Sequence, residues 1–416
     1  MTDARAISSR AEPFSSHPAH WSRKRRAMPF FVRQLQRLLS QAVCGDITIV
    51  LPNGEALHHQ SANPGPSANL VIRRWRTVWR LMIGGEMAFA ETYIAGEWWT
   101  PNLVAFLEFG ARNDTSMQHA ISGTVMQRLL RRLHHWRNRN TRKGSRRNIA
   151  AHYDLGNAFY RLWLDRSMQY SSALFTNPDQ PLEAAQDNKL SRVLELLDIA
   201  GGERILEIGC GWGALMEKLA PHCDIIGITL SVEQLAFAQE RLASKSSCGR
   251  TQLRLQDYRD VPERFDRIVS IEMIEAVGEQ YWAAYFEKLR STLTPDGTVL
   301  LQAITIAEDR FEKYRQQPDF IQRYIFPGGV LPTADIIRRQ AARAGLELTA
   351  HEPFGESYAR TLAAWRERFL AAWPEIERLG FDAAFKRMWE YYLCYCEAGF
   401  CNGAIDVAFY QFKPCP

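Results

Sequence analysis

The segment RILEIGCGWGALMEKLA, residues 204–220, constrains the fold of this chain more than any other. A short apolar run ends in three glycines within five residues, Gly209, Gly211 and Gly213, and a helical pattern follows. A glycine-rich turn between a buried strand and a helix lets a ligand approach the backbone closely at the carboxyl end of the strand. The segment therefore predicts a strand, a ligand-binding turn and a helix, in that order.

Strand-like and helical patterns alternate along the rest of this region. The strand-like runs are RILEIG, DIIGITL, TQLRLQ, FDRIVSI and TVLLQAITI, and the helical segments between them are GALMEKLA, SVEQLAFAQERLAS and EQYWAAYFEKLRSTL. This alternation predicts a parallel, doubly wound sheet. Two later strands, LELTAHEPF and DVAFYQF, bring the number to seven. Seven strands with a late final one indicate the Rossmann-like α/β fold of class I methyltransferases, which use S-adenosylmethionine (SAM).

Two features favour SAM over a dinucleotide as the ligand of the glycine turn. The spacing Gly209-x-Gly211-x-x-Ala214 also fits the dinucleotide fingerprint. However, Glu207 precedes the glycines as E-x-G-x-G-x-G, which is the methyltransferase form. The second strand ends in GITLS, without the acidic residue that would bind a ribose hydroxyl in an NAD enzyme. The sequence therefore predicts SAM as the cofactor.

Two further positions are candidates for SAM contacts. Ser231 and Gln234 form a capping-box sequence, which would explain Gln234 by local structure. Gln234 also begins a helix that faces the predicted crevice, where it can hydrogen-bond a ribose. Asp257 and Tyr258 follow the third strand, where a carboxylate and a stacking ring can hold adenine. The alternative for this pair is an ordinary polar strand end.

The chain divides into four predicted parts. Residues 1–28 are rich in Ser, Arg, His and Pro and are predicted to be disordered. Residues 29–113 form an accessory α+β domain, in which DITIVLPNGEALHH predicts a hairpin at its Asn-Gly turn. Residues 114–146 are a basic helical linker. Residues 147–416 are the catalytic domain.

The linker suggests how the protein meets an anionic surface. Nine basic residues and no acidic one lie between Arg128 and Arg147, and RKRR at residues 23–26 adds a second cluster. Apolar residues from Met126 to Trp136 recur at helical spacing, which is typical of an interfacial membrane helix. A solvated linker helix and a nucleic-acid contact are the alternatives. No apolar segment approaches the roughly 18 residues of a membrane span, and no signal-peptide core is present. We therefore expect a cytoplasmic, peripherally membrane-associated protein.

The eight cysteines predict neither a disulfide scaffold nor a metal site. Cys394, Cys396 and Cys401 lack a paired C-x-x-C and a nearby histidine, so no metal is expected. Reduced thiols are typical of a cytoplasmic protein.

Several segments, taken together and in order, resemble the cyclopropane fatty acid synthase family, which includes the mycolic acid cyclopropane synthases. The resemblance covers about residues 148–416, and the N-terminal ETYIAGEWW resembles the extra domain of the phospholipid-acting members. It implies alkylation of cis double bonds in the unsaturated acyl chains of phospholipids. The matching segments are NIAAHYDLGNAFYRLWLDRSMQYSSALF, LEIGCGWG, GITLSVEQ, FDRIVSIEMIEAVG, FIQRYIFPGG, YARTLAAW and YYLCYCEAGF.

The resemblance also implies a reaction and a SAM site. The alkene attacks the sulfonium methyl group, and the resulting carbocation on the acyl chain loses a proton and closes to a cyclopropane. Aromatic rings would stabilise the cation, and Tyr358, Tyr324 and Tyr392 are the candidates. The SAM site carried over by motif comprises Tyr170, Ser171, Gly209, Gly211, Thr229, Leu230, Gln234, Tyr258 and Arg259.

The group that removes the proton is where this sequence departs from the family pattern. In the family, the base is thought to be a bicarbonate held by Cys, Glu, His and Tyr. Glu275 and Tyr358 match, but Ser172 and Gln302 stand at the cysteine and histidine positions. Both can donate hydrogen bonds to an anion, yet neither carries a positive charge, so bicarbonate is a hypothesis here. Glu275 could itself be the base, and a hydride shift would then give a methyl- or methylene-branched chain.

The resemblance implies that residues 320–329 form an aromatic lid hinged at Gly328 and Gly329, with an ordinary packed loop as the alternative.

Two other functions are disfavoured by the sequence. A nucleic-acid methyltransferase would show an N/D-P-P-Y or catalytic cysteine motif, and neither is evident, so no nucleic-acid partner is expected. A non-catalytic lipid-binding protein is disfavoured by the intact glycine turn and Gln234. The sequence leaves a homodimer open.

Overall fold

A computed structural model describes residues 29–117, 155–243, 249–316 and 319–415 of the 416-residue chain. The described residues form two α/β units, a smaller N-terminal one and a larger one that carries the glycine turn. The predicted disordered residues 1–28 and most of the predicted basic linker lie outside the described residues.

The N-terminal unit is a four-stranded sheet in the order β2-β1-β3-β4, covered by helices. The predicted hairpin is confirmed, because β1 and β2 pair antiparallel and Gly54 takes a positive φ of 84° in the turn between them. The last helix runs through the predicted domain boundary at residue 113. The elements are α1 (Pro29–Leu39), β1 (Cys44–Val50), β2 (Ala56–Gln60), β3 (Asn63–Ile72), α2 (Trp75–Ile94), β4 (Trp98–Trp99) and α3 (Leu103–Met117).

The second unit contains a seven-stranded sheet in the order β10-β11-β9-β8-β5-β6-β7. Strands β5 to β9 are parallel, and β11 lies antiparallel between β9 and β10. This is the predicted methyltransferase arrangement. The strands are β5 (Arg204–Ile208), β6 (Asp224–Thr229), β7 (Thr251–Leu255), β8 (Phe265–Ile271), β9 (Leu293–Ile306), β10 (Leu346–Pro353) and β11 (Ile405–Pro414).

Helices cover both faces of this sheet, and side chains cap several of them. The Ser231 hydroxyl accepts from the backbone N–H of Gln234 at 3.2 Å, and Asp382 accepts from Phe385 N–H at 2.8 Å. The helices are α4 (Asn157–Tyr160), α5 (Leu182–Leu197), α6 (Ala214–Leu219), α7 (Val232–Ala243), α8 (Ile274–Val277), α9 (Trp282–Thr292), α10 (Glu308–Gln316), α11 (Ala334–Arg343), α12 (Gly355–Ala371), α13 (Trp373–Arg378) and α14 (Ala383–Cys401).

The long helix α14 joins the two units, because it packs against α12 on one side and against α2 and α3 on the other. Polar contacts accompany this apolar packing. The Tyr93 hydroxyl donates to Glu390 at 3.0 Å, and Arg387 Nε donates to the Ile94 carbonyl at 2.7 Å. One of the hydrophobic clusters contains buried side chains of both units, and two further clusters lie within the larger unit. Within the described ranges, no helix is long and apolar enough to cross a membrane.

Candidate active site

A cavity of about 1260 Å³ extends from the carboxyl end of the large sheet into the N-terminal unit. This volume exceeds the roughly 300–1,000 Å³ of a pocket for one small ligand. The large unit contributes the glycine turn and polar side chains to the lining, and among the described residues the N-terminal unit contributes apolar ones with the single exception of Asp114. The cavity therefore has room for a polar ligand together with an extended apolar chain. The apolar end includes Leu39, Ile49, Leu70, Val78 and Phe106 of the N-terminal unit.

The glycine turn connects β5 to α6 and has the open backbone that the sequence predicts. Gly209, Gly211 and Gly213 all have positive φ, at 81°, 50° and 82°. A Cβ at Gly209 would lie 2.6 Å from Met273 Cγ, so that position needs glycine for packing. A Cβ at Gly211 would meet nothing within 4 Å, and Gly211 lines the cavity. The backbone at Gly211 is therefore open to a ligand.

Two buried ionisable side chains lie beside the turn. Glu207 is buried, and its Oε2 has no hydrogen-bond partner among the described residues. Burial raises the pKa of Glu207 to about 8. The buried Lys189 donates from Nζ to the Ser171 hydroxyl at 2.8 Å, and burial lowers its pKa to about 8. The Glu207 oxygen without a partner in the described chain suits the ammonium group of SAM, and the buried Lys189 suits its carboxylate.

Sequence reasoning missed Lys189, although a signal for it exists. Lys189 lies on α5 between the buried residues Ala185 and Val193, four positions from each. A lysine on the apolar face of an amphipathic helix is rarely buried unless it faces charged or polar partners. That position alone marks Lys189 as a candidate site residue.

The structure combines both interpretations of Gln234. Its backbone N–H is capped by Ser231, and its Oε1 accepts from the Thr229 hydroxyl at 3.0 Å. Gln234 also lines the cavity, as do Thr229 and Leu230. Ser231 therefore caps the helix at the Gln234 backbone, and Thr229 holds the Gln234 side chain at the cavity wall where a ribose contact is predicted.

The predicted SAM-site residues 257–259 separate into two kinds. The Arg259 guanidinium binds both carboxylate oxygens of Asp257, at 2.8 and 2.6 Å, and the pair closes a tight turn. Neither residue, nor Gly213, is among the described residues that line the cavity. Tyr258 does line it, and its ring packs edge-on against Tyr285. Tyr258 is therefore the one of the three that is placed for direct contact.

Three of the four predicted proton-removal residues meet at one carboxylate, which belongs to Glu272. The backbone N–H of Ser172 donates to Glu272 Oε1 at 2.9 Å, and Gln302 Nε2 donates to the same oxygen at 2.7 Å. The Tyr358 hydroxyl donates to Glu272 Oε2 at 2.7 Å. The sequence motif indicates Glu275 for this group, and it gives no sign of Glu272, three residues earlier.

Glu275 lies beside this group with a different set of contacts. Its Oε1 accepts from the backbone N–H of Ile304, and its Oε2 has no partner in the described part of the chain. Burial, followed by the nearby Glu272 carboxylate, raises the pKa of Glu275 to about 8. Burial also raises the pKa of Glu272, but its donors and Lys189 oppose that rise. At neutral pH, Glu275 is therefore mostly protonated, whereas the three donors around Glu272 favour its ionised form.

The aromatic candidates are only partly placed as expected. Tyr358 and Tyr392 line the cavity, and the Tyr392 hydroxyl lies 2.8 Å from that of Tyr170. Tyr324 is a correction, because its hydroxyl donates to Glu91 of the N-terminal unit at 3.2 Å. It is not among the described residues that line the cavity. Its hydrogen bond instead joins the larger unit to the N-terminal unit.

The predicted lid segment covers part of the cavity. A single π-helical turn, Ile321–Ile325, is followed by Phe326 and Gly329, which line the cavity. Gln322 Nε2 donates to the Gly329 carbonyl at 2.9 Å, and Val330 N–H donates to the Glu275 carbonyl at 2.8 Å. Its role as a moving lid stays a prediction.

The cysteines of the described chain are unpaired thiols. No group of His, Cys, Asp and Glu in residues 29–117, 155–243, 249–316 or 319–415 has the geometry of a metal site.

With the site described, comparison with known proteins identifies the family. Residues 140–410 match the family of mycolic acid cyclopropane synthetases. The chain belongs to this family. It is 40% identical over 343 residues to the tuberculostearic acid methyltransferase UfaA1 of Mycobacterium tuberculosis, covering 78% of each chain. It is 36% identical over 338 residues to the cyclopropane-fatty-acyl-phospholipid synthase of Escherichia coli, covering 80% of this chain and 84% of that one.

Solved structures of family members match the catalytic unit. The cyclopropane synthase MmaA2 of M. tuberculosis superposes with a TM-score of 0.61 at 33% identity, covering 64% of this chain and 97% of that one. The mycolic acid cyclopropane synthase CmaA1, complexed with SAH and CTAB, gives 0.61 at 31% identity, covering 64% and 98%. The predicted family, fold and cofactor are confirmed. The protein is a SAM-dependent methyltransferase, and its relatives modify lipid acyl chains.

Proposed function

We propose that this enzyme transfers the methyl group of SAM to the cis double bond of an unsaturated acyl chain in a phospholipid. The observation that carries the proposal is the continuity of the cavity. Its polar end contains Gly211, Glu207 and Gln234, and its apolar end lies in the core of the N-terminal unit. An acyl chain that lies in the apolar end can present its double bond beside the glycine turn.

The residues at the polar end fit SAM. When bound, SAM supplies an electrophilic methyl group. Gly211 would let it approach the backbone, Gln234 and Tyr258 would hold its nucleoside, and Glu207 with Lys189 would hold its charged amino-acid end. The rings of Tyr358 and Tyr392 line the cavity, where they would stabilise positive charge on the acyl chain. The apolar walls would keep water from trapping that charge.

Two products are compatible with this first step. A cyclopropane is the first candidate, because the family and the relative from E. coli carry that name. A methyl-branched olefin or a methylene-branched chain is the second, because the tuberculostearic acid methyltransferase is 40% identical to this chain over 78% of its length. The products differ in which bond is formed by the electron pair of the C–H bond that breaks after methyl transfer.

The site of action in this proposal is an anionic membrane surface on the cytoplasmic side. The support is the sequence, since nine basic residues lie between Arg128 and Arg147 without an acidic one. These residues lie outside the described ranges, so the proposal rests on charge alone. Binding to vesicles that contain anionic lipid should exceed binding to zwitterionic vesicles and should fall with added salt.

The experiment uses purified protein, SAM and vesicles of an anionic, cis-monounsaturated phospholipid, with mass spectrometry of the released acyl chains. We expect a gain of one CH2 unit. Ozonolysis then distinguishes the products, since a cyclopropane resists cleavage and a branched olefin is cleaved. Saturated vesicles with the same headgroup are the control. No gain in unsaturated lipid by an enzyme that still binds SAM would contradict the proposal, and methylation of an added oligonucleotide would replace it.

A further inference from the structure

Three residues that the resemblance assigns to a bound bicarbonate already donate to one carboxylate. Ser172 does so through its backbone N–H, because its hydroxyl donates to the Ala173 carbonyl at 2.9 Å. Ser172 N–H and Gln302 Nε2 both point at Glu272 Oε1, at 2.9 and 2.7 Å, and the Tyr358 hydroxyl points at Oε2, at 2.7 Å. Two oxygens on one carbon, held by three donors in a cavity wall, match the charge and shape of a small carboxylate or carbonate anion. The site therefore does not fit a free bicarbonate while Glu272 is in place.

The backbone of Glu272 has an unusual conformation that directs its carboxylate toward these donors. Glu272 directly follows β8 and has a φ of 50°, a left-handed backbone conformation that residues other than glycine rarely adopt. Its N–H donates to the Gln302 carbonyl at 2.7 Å, which fixes the strained residue to β9. Unfavourable backbone conformations are retained mainly where function requires them. Here the strained backbone directs the carboxylate toward Ser172, Gln302 and Tyr358.

The ionisable groups around Glu272 favour its role as a proton acceptor. The pKa of the neighbouring Glu275 is raised to about 8, so Glu275 is neutral at pH 7 and does not compete for protons. Lys189 opposes the effect of burial on the pKa of Glu272. Glu272 lines the cavity together with Tyr358 and Ile304, so its carboxylate faces the space that an acyl chain would occupy.

We propose that Glu272 is the proton acceptor of this enzyme and takes the place of a free bicarbonate. The inference rests on the proposed function. After methyl transfer, a C–H bond of the new methyl group breaks, and the proton goes to a carboxylate oxygen of Glu272. The released electron pair closes the cyclopropane bond to the cationic carbon. If a hydride shift has first moved the cation to the methyl-bearing carbon, the same pair forms a methylene double bond.

The test compares two substitutions of Glu272. Glu272→Gln keeps the side chain in the site but removes its basicity, so turnover should fall at least about 100-fold, the usual lower range for a lost general base. Glu272→Gly is compatible with the positive φ and vacates the space of a small anion. Its turnover should fall equally, and sodium bicarbonate or formate should restore it at least about tenfold. Sodium chloride at equal ionic strength should not restore it.

Three controls accompany these variants. Glu287→Gln changes an exposed glutamate on α9 and should leave turnover unchanged. SAM affinity and the unfolding midpoint, measured for each variant, separate a lost base from a lost site or fold. Bicarbonate should not rescue Glu272→Gln, because the amide still fills the space.

A second readout does not depend on lipid turnover. The carbon-13 NMR line of labelled bicarbonate should broaden with Glu272→Gly and stay sharp with the wild-type protein. If the wild-type protein alkylates no phospholipid, the proposed function fails, while this binding arm still tests whether Glu272 fills the anion site. Wild-type turnover in Glu272→Gln, or equal bicarbonate binding by wild type and Glu272→Gly, would overturn the inference.

Discussion

At the scale of single residues, two glutamates three positions apart differ because different groups surround them. Glu272 accepts hydrogen bonds from Ser172, Gln302 and Tyr358, whereas Glu275 accepts one backbone N–H and keeps one oxygen without a partner in the described chain. Donors stabilise a carboxylate anion, and burial without them stabilises the neutral acid. The protonation states that support the proposed chemistry follow from these contacts.

The neutral state of Glu275 has a consequence for stability. Its pKa is about 8 in the folded protein and near 4.5 when unfolded, so the folded state holds an extra proton between these values. The stability that Glu275 contributes is therefore present at low pH and is lost as pH rises toward 8. Glutamine mimics the neutral acid and cannot lose a proton.

We therefore expect the unfolding midpoint of Glu275→Gln, relative to that of the wild type, to be a few degrees higher at pH 8.5 than at pH 5.5. Differential scanning calorimetry at both pH values, with Glu287→Gln as the control, checks this. A difference between variant and wild type that stays constant with pH would contradict a raised pKa at Glu275.

Local sequence patterns predict several of the residues that line the cavity beside the glycine turn. Glu207, Gly211 and Gln234 are recognisable from motif and spacing. Glu272 was missed because the donors to its carboxylate come from three separate segments, which only the folded chain brings together. Its left-handed backbone also has no signature in the sequence, since a glutamate gives no sign of positive φ.

At the scale of secondary-structure elements, the turn between β5 and α6 is the proposed binding place for SAM. Gly211 has a φ of 50°, and a Cβ added there would have no atom within 4 Å. Gly54 in the N-terminal hairpin has a φ of 84° and equal freedom. Alanine at either position meets the same kind of backbone penalty, roughly 1–2 kcal/mol. Of these two glycines, Gly211 lines the cavity and Gly54 does not.

Gly211→Ala should therefore lower SAM affinity at least about tenfold, which corresponds to about 1.4 kcal/mol of binding free energy. Gly54→Ala should lower the unfolding midpoint about as much as Gly211→Ala does, and it should leave SAM affinity unchanged. Isothermal titration calorimetry and thermal unfolding of both variants measure the two effects. Equal loss of SAM affinity in both variants would remove Gly211 from the binding site.

The strands and short helices of the catalytic unit could be predicted because their apolar periodicity is strong. The two long helices α12 and α14 were seen only as motif segments. Their apolar residues cover more than one face, since α14 contacts both α12 and the N-terminal unit. Burial on several sides removes the amphipathic pattern that marks a helix in a sequence.

At the scale of the whole molecule, the N-terminal unit supplies the apolar end of the cavity. Val78 on α2 is 3% exposed and lines this end, while Val43 of the same unit is 48% exposed. A larger side chain at Val78 would occupy the space proposed for the acyl chain. The same change at Val43 would extend into solvent.

We expect Val78→Phe to lower lipid turnover at least about tenfold, within the range for a filled apolar pocket, without a change in SAM affinity. Val43→Phe should retain wild-type turnover. Steady-state assays with vesicles of cis-monounsaturated lipid compare the two variants. Unchanged turnover in Val78→Phe would show that the acyl chain does not enter the N-terminal unit.

The division into an accessory unit and a catalytic unit could be read from the sequence, but their shared cavity could not. It depends on the packing of α14 against α2 and α3, which no local pattern specifies.

A phospholipid with one saturated and one cis-monounsaturated acyl chain offers the sharpest test of the proposed reaction. The enzyme is supplied with SAM that carries a labelled methyl carbon, and tandem mass spectrometry locates the label. We expect one labelled carbon per modified lipid, confined to the chain that was unsaturated. Label in the headgroup or in the saturated chain, or no label despite bound SAM, would contradict alkylation of the double bond.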